Sequence, residues 1–351
     1  MKHLLAALLL LSTACGGATQ APGAANPNNE IPRPAKTPVK FGALPPLPDE
    51  GPLAERPTRM LKALQAKGYA AVLQKDKSVL VTTEMFGVLV QTNTAHLCQF
   101  DLPFRSGKGG TDLDLFAARI TNKTTLPLGT NFTILSESSM LRVTARYAFV
   151  VENETECAEL ASIVILNLGG IVDMFVDVSD RPVFLGGSNH EDRRADVTTI
   201  QLSGINTYVR AYLVGNTQGY RDYYYAMLDS EGAAPKVDAE GDLSFSHEGA
   251  RLYIVVPKQI YFPDVFTVEF QSSEPAADIS LPIVQAACID AMTRNVFIRC
   301  TCTPNGDRVT IRITSLALLN GSNDPRHNFR NLANAVHQAS VRFKEYYTSH
   351  K

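Results

Sequence analysis

Beyond its first dozen residues this chain has no apolar run near the roughly 20 residues that span a bilayer, so no internal segment reads as a transmembrane helix. An excess of charge of one sign is also missing. Thirty-three basic residues stand against 35 acidic ones, with no basic run to mark an anionic surface, and nucleic-acid binding is set aside. No G-x-S-x-G occurs; the nearest run, Leu202-Ser203-Gly204, opens a segment with helical spacing, and Ser203 reads as its cap. RSGKGGT at 105–111 sits between strand and helix signals like a phosphate loop. It fails as one, because the required glycine is replaced by Leu102 and the residue after the lysine is Gly109, so a loop is the better reading.

The N-terminus does carry a signal. Lys2 and His3 start it, Leu4 to Leu11 form a short apolar core, and Ser12-Thr13-Ala14 is a small-residue patch before Cys15. LLLLSTAC resembles the lipobox of bacterial lipoproteins, in which the cysteine is acylated and becomes the new N-terminus; Ser12 stands where that motif prefers leucine. Residues 1–14 are then a signal peptide and Cys15 the lipidation site, the alternative being plain signal-peptidase cleavage after Ala14. Either way the chain is exported, and any membrane attachment is through the lipid, at the outer membrane or the periplasmic face. From Cys15 to Glu55 the chain is rich in Pro, Ala, Asn and Gly, as in PNNEIPRPAKTP and LPPLPDEGP. That composition does not bury a core and reads as a semi-extended tether.

Cysteine is sparse: six in 351 residues, five once Cys15 is lipidated. An odd remainder leaves at least one thiol free or paired between chains. Cys157 and Cys288 fall on apolar faces of predicted helices, where a buried free thiol is the expectation, and no disulfide framework is anticipated.

Residues 56–351 contain two segments of similar pattern. LDLFAARITNK, NFTIL, SESS, LRVTARYAFV and NETECAELASIVILNLGGIVDMF read as helix, strand, turn, strand and long helix. IVQAACIDAMTRN, VFIRCTC, PNGD, RVTIRITSLALL and NDPRHNFRNLANAVHQASVRFKEYY repeat that order. Val143, Ala145, Tyr147 and Phe149 alternate with Arg142, Thr144 and Arg146, as Val309, Ile311 and Ile313 do with Thr310, Arg312 and Thr314. Leu160, Ala161, Val164, Ile165 and Leu168, and later Phe329, Leu332, Val336 and Phe343, recur at three and four residues. Asn153 with Glu156, and Asp324 before Pro325, mark the starts of these helices. Upstream, a helix from Pro57 to Lys67 stops at Gly68-Tyr69 and leads into strands at VLVTT, GVLVQT and HLCQFDLPF. The matching stretch reads as a helix over INTYVRAYLV, then Gly219-Tyr220 and strands at YRDYYYAML, DLSFS, RLYIVV and VFTVEFQ.

This order, with its Gly-Tyr step, the polar Thr121-Asn122-Lys123 and the final amphipathic helix, resembles the YbjN family, in two copies. The resemblance implies a fold similar to that of type III secretion chaperones: α+β, with an antiparallel sheet and helices on one face of it. The repeats are expected at 56–176 and 199–351, joined by a polar linker at 177–198.

Among candidate chemistries, His96 with Cys98 and Cys300 with Cys302 each share a strand face as metal ligands would, but no third or fourth ligand is near, and packing is the better reading. His190, Glu191 and Asp192, followed by Arg193 and Arg194, read as a solvated hinge. Tyr220, Tyr223, Tyr224 and Tyr225 are the candidate protein interface, since successive residues of a strand show both faces; a tyrosine-rich strand buried beneath the linker is the alternative. Asn-x-Ser/Thr matches at Asn122, Asn131, Asn153 and Asn320 are set aside, because the lipobox resemblance points to a bacterial source. The sequence therefore predicts a non-enzymatic envelope lipoprotein that binds a protein partner and needs no metal or cofactor. An enzyme or small-ligand binder with a site between the repeats, and a purely structural envelope component, are the other readings.

Overall fold

A computed structural model describes residues 40–83, 86–107, 117–118, 120–121, 130–136, 140–176, 183–184, 215–258, 265–318 and 324–350. The signal peptide, Cys15, Ser203, the INTYVRAYLV segment and the His190–Arg194 cluster lie outside the described residues.

Helix α1 (Arg56–Ala66) has Pro57 in its first turn, where a missing N–H is harmless, and buries Met60 and Leu64. It stops at Gly68, whose φ of +86° suits glycine, with the Tyr69 N–H turned back onto the Leu64 carbonyl. Strands β1 (Ala71–Leu73), β2 (Val79–Thr82), β3 (Gly87–Gln91), β4 (Leu97–Gly107), β5 (Asn131–Ser136) and β6 (Met140–Val150) come next, then α2 (Glu154–Val176). The sheet runs β1-β2-β3-β4-β6-β5, and the short β7 (Val183–Phe184), within the stretch read as linker, lies on β4.

The second half contains α3 (Thr217–Ser230), β8 (Lys236–Val237), β9 (Leu243–His247), β10 (Ala250–Ile254), β11 (Val265–Pro275), α4 (Leu281–Arg294), β12 (Ile298–Asn305), β13 (Arg308–Leu318) and α5 (Pro325–His350). Its sheet order, β8-β9-β10-β11-β13-β12, matches the first strand for strand. The central pairs agree in register too. Leu97 faces Val150 and Gly107 faces Met140, while Val265 faces Leu318 and Pro275 faces Arg308, so eleven residues oppose eleven in each repeat. The chain is thus α+β: two tandem repeats, each an antiparallel sheet with helices packed on one face.

The predicted alternation holds. Val143, Ala145, Tyr147 and Phe149 are buried against the helices, as are Val309, Ile311 and Ile313. On the other face of the first sheet, Arg146 Nε donates to Asp101 Oδ1 at 2.6 Å, and Gln91 and Gln99 donate to the same carboxylate. Asn153 caps α2 by accepting the Glu156 N–H at 3.1 Å, and Asp324 caps α5 by accepting the Arg326 N–H at 3.0 Å.

One predicted strand is a helix. YRDYYYAML lies within α3, which starts at Asn216, whose side chain accepts the Gly219 N–H. It ends at Gly232, at φ +73°, with the Ala233 N–H reaching back to Leu228. Gly232, and not Gly219, therefore corresponds to Gly68. The expected strand also misses the period: Tyr220, Tyr223, Tyr224, Met227 and Leu228 are the buried residues, three and four apart.

The repeats meet through the same edge. Asn131 on β5 pairs with Arg146, and Arg299 on β12 with Thr314, at the same step of the central strand in each sheet. Buried Asn131 crosses to the second repeat, its Nδ2 within hydrogen-bonding distance of the Met292, Asn295 and Ile298 carbonyls at 2.7–2.8 Å. In the other direction, the Cys302 N–H donates to the Thr121 carbonyl at 2.9 Å. Buried Arg299 lies close enough to Tyr147 of the first repeat to interact electrostatically. Burial lowers its guanidinium to about 10, and Tyr147 opposes the shift.

Candidate functional site

The tyrosine helix is held by its own chain. Tyr220 and Tyr224 are fully buried and Tyr223 nearly so, while Tyr225 is 40% exposed. Tyr220 donates its hydroxyl to the Val265 carbonyl at 3.0 Å, and Tyr224 packs on Phe266 with centroids 5.1 Å apart. As an exposed interface the set Tyr220, Tyr223, Tyr224 and Tyr225 is therefore corrected: an α-helix places the first three on its inner face, and Tyr225 alone looks outward.

The cover over Tyr223 comes from the end of the stretch read as tether. Phe41 meets the Tyr223 ring edge-on at 5.3 Å, and the Arg326 guanidinium lies over Phe41 at 5.2 Å. Arg326 also donates Nη1 to the Gly42 carbonyl at 2.7 Å while pairing with Asp324 at 2.6 Å. Burial pushes the Tyr223 phenol well above its ordinary range, Asp324 adds to the shift and Arg326 opposes it.

At the far end of the same segment, Glu50 docks on the first repeat. Its Oε1 accepts the His96 N–H at 2.9 Å, and its Oε2 lies 3.4 Å from Arg56 Nε. Arg56 is fully buried, donating to the Thr94 carbonyl and, at 2.8 Å, to that of Leu97, with Glu154 3.5 Å away. Burial lowers the Arg56 guanidinium below its usual value, against the pull of Glu50 and Glu154. Arg59 completes the group, reaching Glu154 at 2.9 Å and the Pro52 carbonyl at 3.1 Å.

Between these anchors Phe41, Leu44, Leu47 and Glu50 are half-buried, and the two residues between each pair are exposed. One residue in three toward the surface is the period of a polyproline II helix, and Pro45, Pro46 and Pro48 favour that conformation. Residues 41–50 thus form a strap, one end on each repeat. Its composition was legible as a segment with no core of its own; the period of three was there to be read and was missed.

The cysteines depart from expectation. Cys98 on β4 is bonded to Cys157 on α2, and Cys288 on α4 to Cys300 on β12, with Cα–Cα distances of 5.4 and 5.0 Å. The expectation of buried free thiols at Cys157 and Cys288 is overturned, because helix and strand bring partners distant in sequence within bonding reach. Cys302 stays free and buried; burial raises its thiol above the ordinary value, and a hydrogen bond with Thr121 opposes this. One member of each spaced pair, Cys98 and Cys300, is taken up in a disulfide, and His96 Nδ1 sits 3.1 Å from the Val151 carbonyl. Among the described residues no group of three or more His, Cys, Asp or Glu is placed to hold a metal ion, and no helix is long and apolar enough to cross a membrane. Of RSGKGGT, Arg105 to Gly107 continue β4 paired with β6 and the remainder lies outside the described residues. Asn131, one of the Asn-x-Thr matches, is buried in the joint.

Neither family models nor curated proteins match the chain. Among solved structures it is similar to YbjN from E. coli, at 12% identity and a TM-score of 0.27, over 36% of this chain and 87% of that one.

Proposed function

We propose that this chain is an exported, lipid-anchored envelope protein, built from two YbjN-like repeats at 56–176 and 199–351, that binds another protein and performs no chemistry of its own. The observation that supports its location is the pair of disulfides, each fastening a helix to a strand inside one repeat. Such bonds persist in oxidising compartments and are rare in the cytosol. Export also fits the N-terminal signal, with Cys15 as the lipidated residue. Protein binding is supported by the strap, since this fold already holds an extended polypeptide against its surface at both ends.

Intact mass of the detergent-extracted mature protein tests the anchor. The expected species starts at Cys15 and carries a diacyl or triacyl addition, whereas an unmodified chain starting at Cys15 or later would remove the anchor and leave export standing. Cross-linking in intact envelopes followed by capture of the full chain should recover one specific partner. Recovery of none under several conditions would count against the binding reading.

A further inference from the structure

We propose that the surface beneath the strap is a docking site for a proline-rich segment of a partner protein, and that residues 41–50 occupy it in cis as a built-in competitor. The inference rests on the protein-binding reading above and names where and what the chain binds.

The strap supplies a ligand whose fit can be read directly. A polyproline II helix makes no internal hydrogen bonds, so its carbonyls stay available to a receptor, and Arg326 takes that of Gly42. The aromatic end enters a slot made by Tyr223 and the Arg326 guanidinium. Asp324 holds that guanidinium through Nε at 2.9 Å and Nη2 at 2.6 Å, leaving Nη1 for the peptide. The acidic end enters a positive, buried pocket, where Glu50 meets the Arg56 guanidinium and the His96 N–H. Nine steps of about 3.1 Å separate the two, so the site extends about 28 Å and bridges both repeats. A fitting partner segment carries an aromatic residue, apolar residues at the third and sixth places after it, and a carboxylate at the ninth.

The strap lies outside helix α1 and meets it through the Glu50–Arg56 pair, which a partner's carboxylate would replace. Gly51 at φ +73° and Pro52 form a sharp corner before that helix, and the strap is anchored by ion pairs, hydrogen bonds and ring contacts. A ligand attached through so short a connection acts at an effective concentration on the order of millimolar, so a partner's segment binds weakly until the strap is displaced.

Fluorescence anisotropy on the full chain tests this, using as probe a labelled synthetic peptide with the sequence of residues 40–51. The variant Phe41→Ala/Glu50→Ala, which removes the side-chain anchor at each end of the strap, is expected to bind the probe at least tenfold more tightly than the unaltered chain. A peptide of the same composition with Phe and Glu moved out of the three-residue period is expected not to bind. Equal affinity for the two chains, equal affinity for the two peptides, or no saturable binding to the variant would overturn the proposal. Should the double variant lose its cooperative melt, Phe41→Ala alone decides, with a smaller gain expected and no gain counting against. If the probe fails while envelope cross-linking still yields a partner, the docking site falls and the protein-binding reading stands.

Discussion

Arg56 and Asp324 each organise one end of the strap, and they do so in different surroundings. Arg56 is sealed from water with Glu50 and Glu154, whose side chains are 3% and 9% exposed. Removing one member of such a group strands the others, which costs about 3–5 kcal/mol. Arg56→Ala is therefore expected to lower stability by that amount in urea unfolding, whereas Lys67→Ala, which breaks a more exposed pair with Glu159, should change it by less than about 1 kcal/mol. Asp324 is a cap and an ion-pair partner together. Desolvation alone would raise its carboxyl, but hydrogen bonds from the Arg326 side chain and backbone outweigh it, and the folded value lies below the ordinary 3.8. A carboxyl depressed on folding contributes stability that is complete above the unfolded value and lost as pH falls through the folded one. Asp324→Asn, which keeps a capping oxygen and loses the charge that faces Arg326, should thus cost up to about 1 kcal/mol at pH 7 and progressively less in acid, a shrinking penalty that urea midpoints at several pH values will register.

Helix α3 shows how much of an element composition can hide. Tyrosine favours strands, and a run of three suggests one, yet the buried set Tyr220, Tyr223, Tyr224, Met227 and Leu228 has helical spacing and Asn216 supplies the start signal. The two central strands were read correctly because their alternation is clean, with apolar residues on one face and Arg or Thr on the other. The helix assignment has a direct check: Tyr224→Ala should cost about 3–5 kcal/mol, as for a large aromatic removed from a core, and its neighbour Tyr225→Ala should stay within about 0.5 kcal/mol. A strand would distribute these effects by alternation, which places Tyr223 and Tyr225 together; thermal melts of Tyr223→Ala, Tyr224→Ala and Tyr225→Ala distinguish the two patterns.

At the scale of the whole molecule the duplication was legible and the bridges were not. Cys98 and Cys157 lie 59 residues apart and belong to elements of different type, and spacing alone does not determine connectivity. The joint was hidden for a related reason: Asn131 reads as an ordinary strand residue, and its role comes from carbonyls more than 160 positions away. Loop closure makes the bridges unequal. By the chain-entropy relation the 59-residue span contributes about 4 kcal/mol and the 12-residue span of Cys288–Cys300 about 3 kcal/mol. Replacing Cys98 and Cys157 by alanine is expected to lower the urea midpoint more than the same change at Cys288 and Cys300, and a reversed order would contradict the bridges as placed.

The joint between β5 and β12 also determines how far this architecture can grow. Each repeat turns this edge of its sheet toward the other, so the edge is covered in both. The outer ends of the two sheets are β1 and β8, strands of three and two residues, too short to template another sheet. A third unit appended to the chain would therefore find this edge of both repeats already covered.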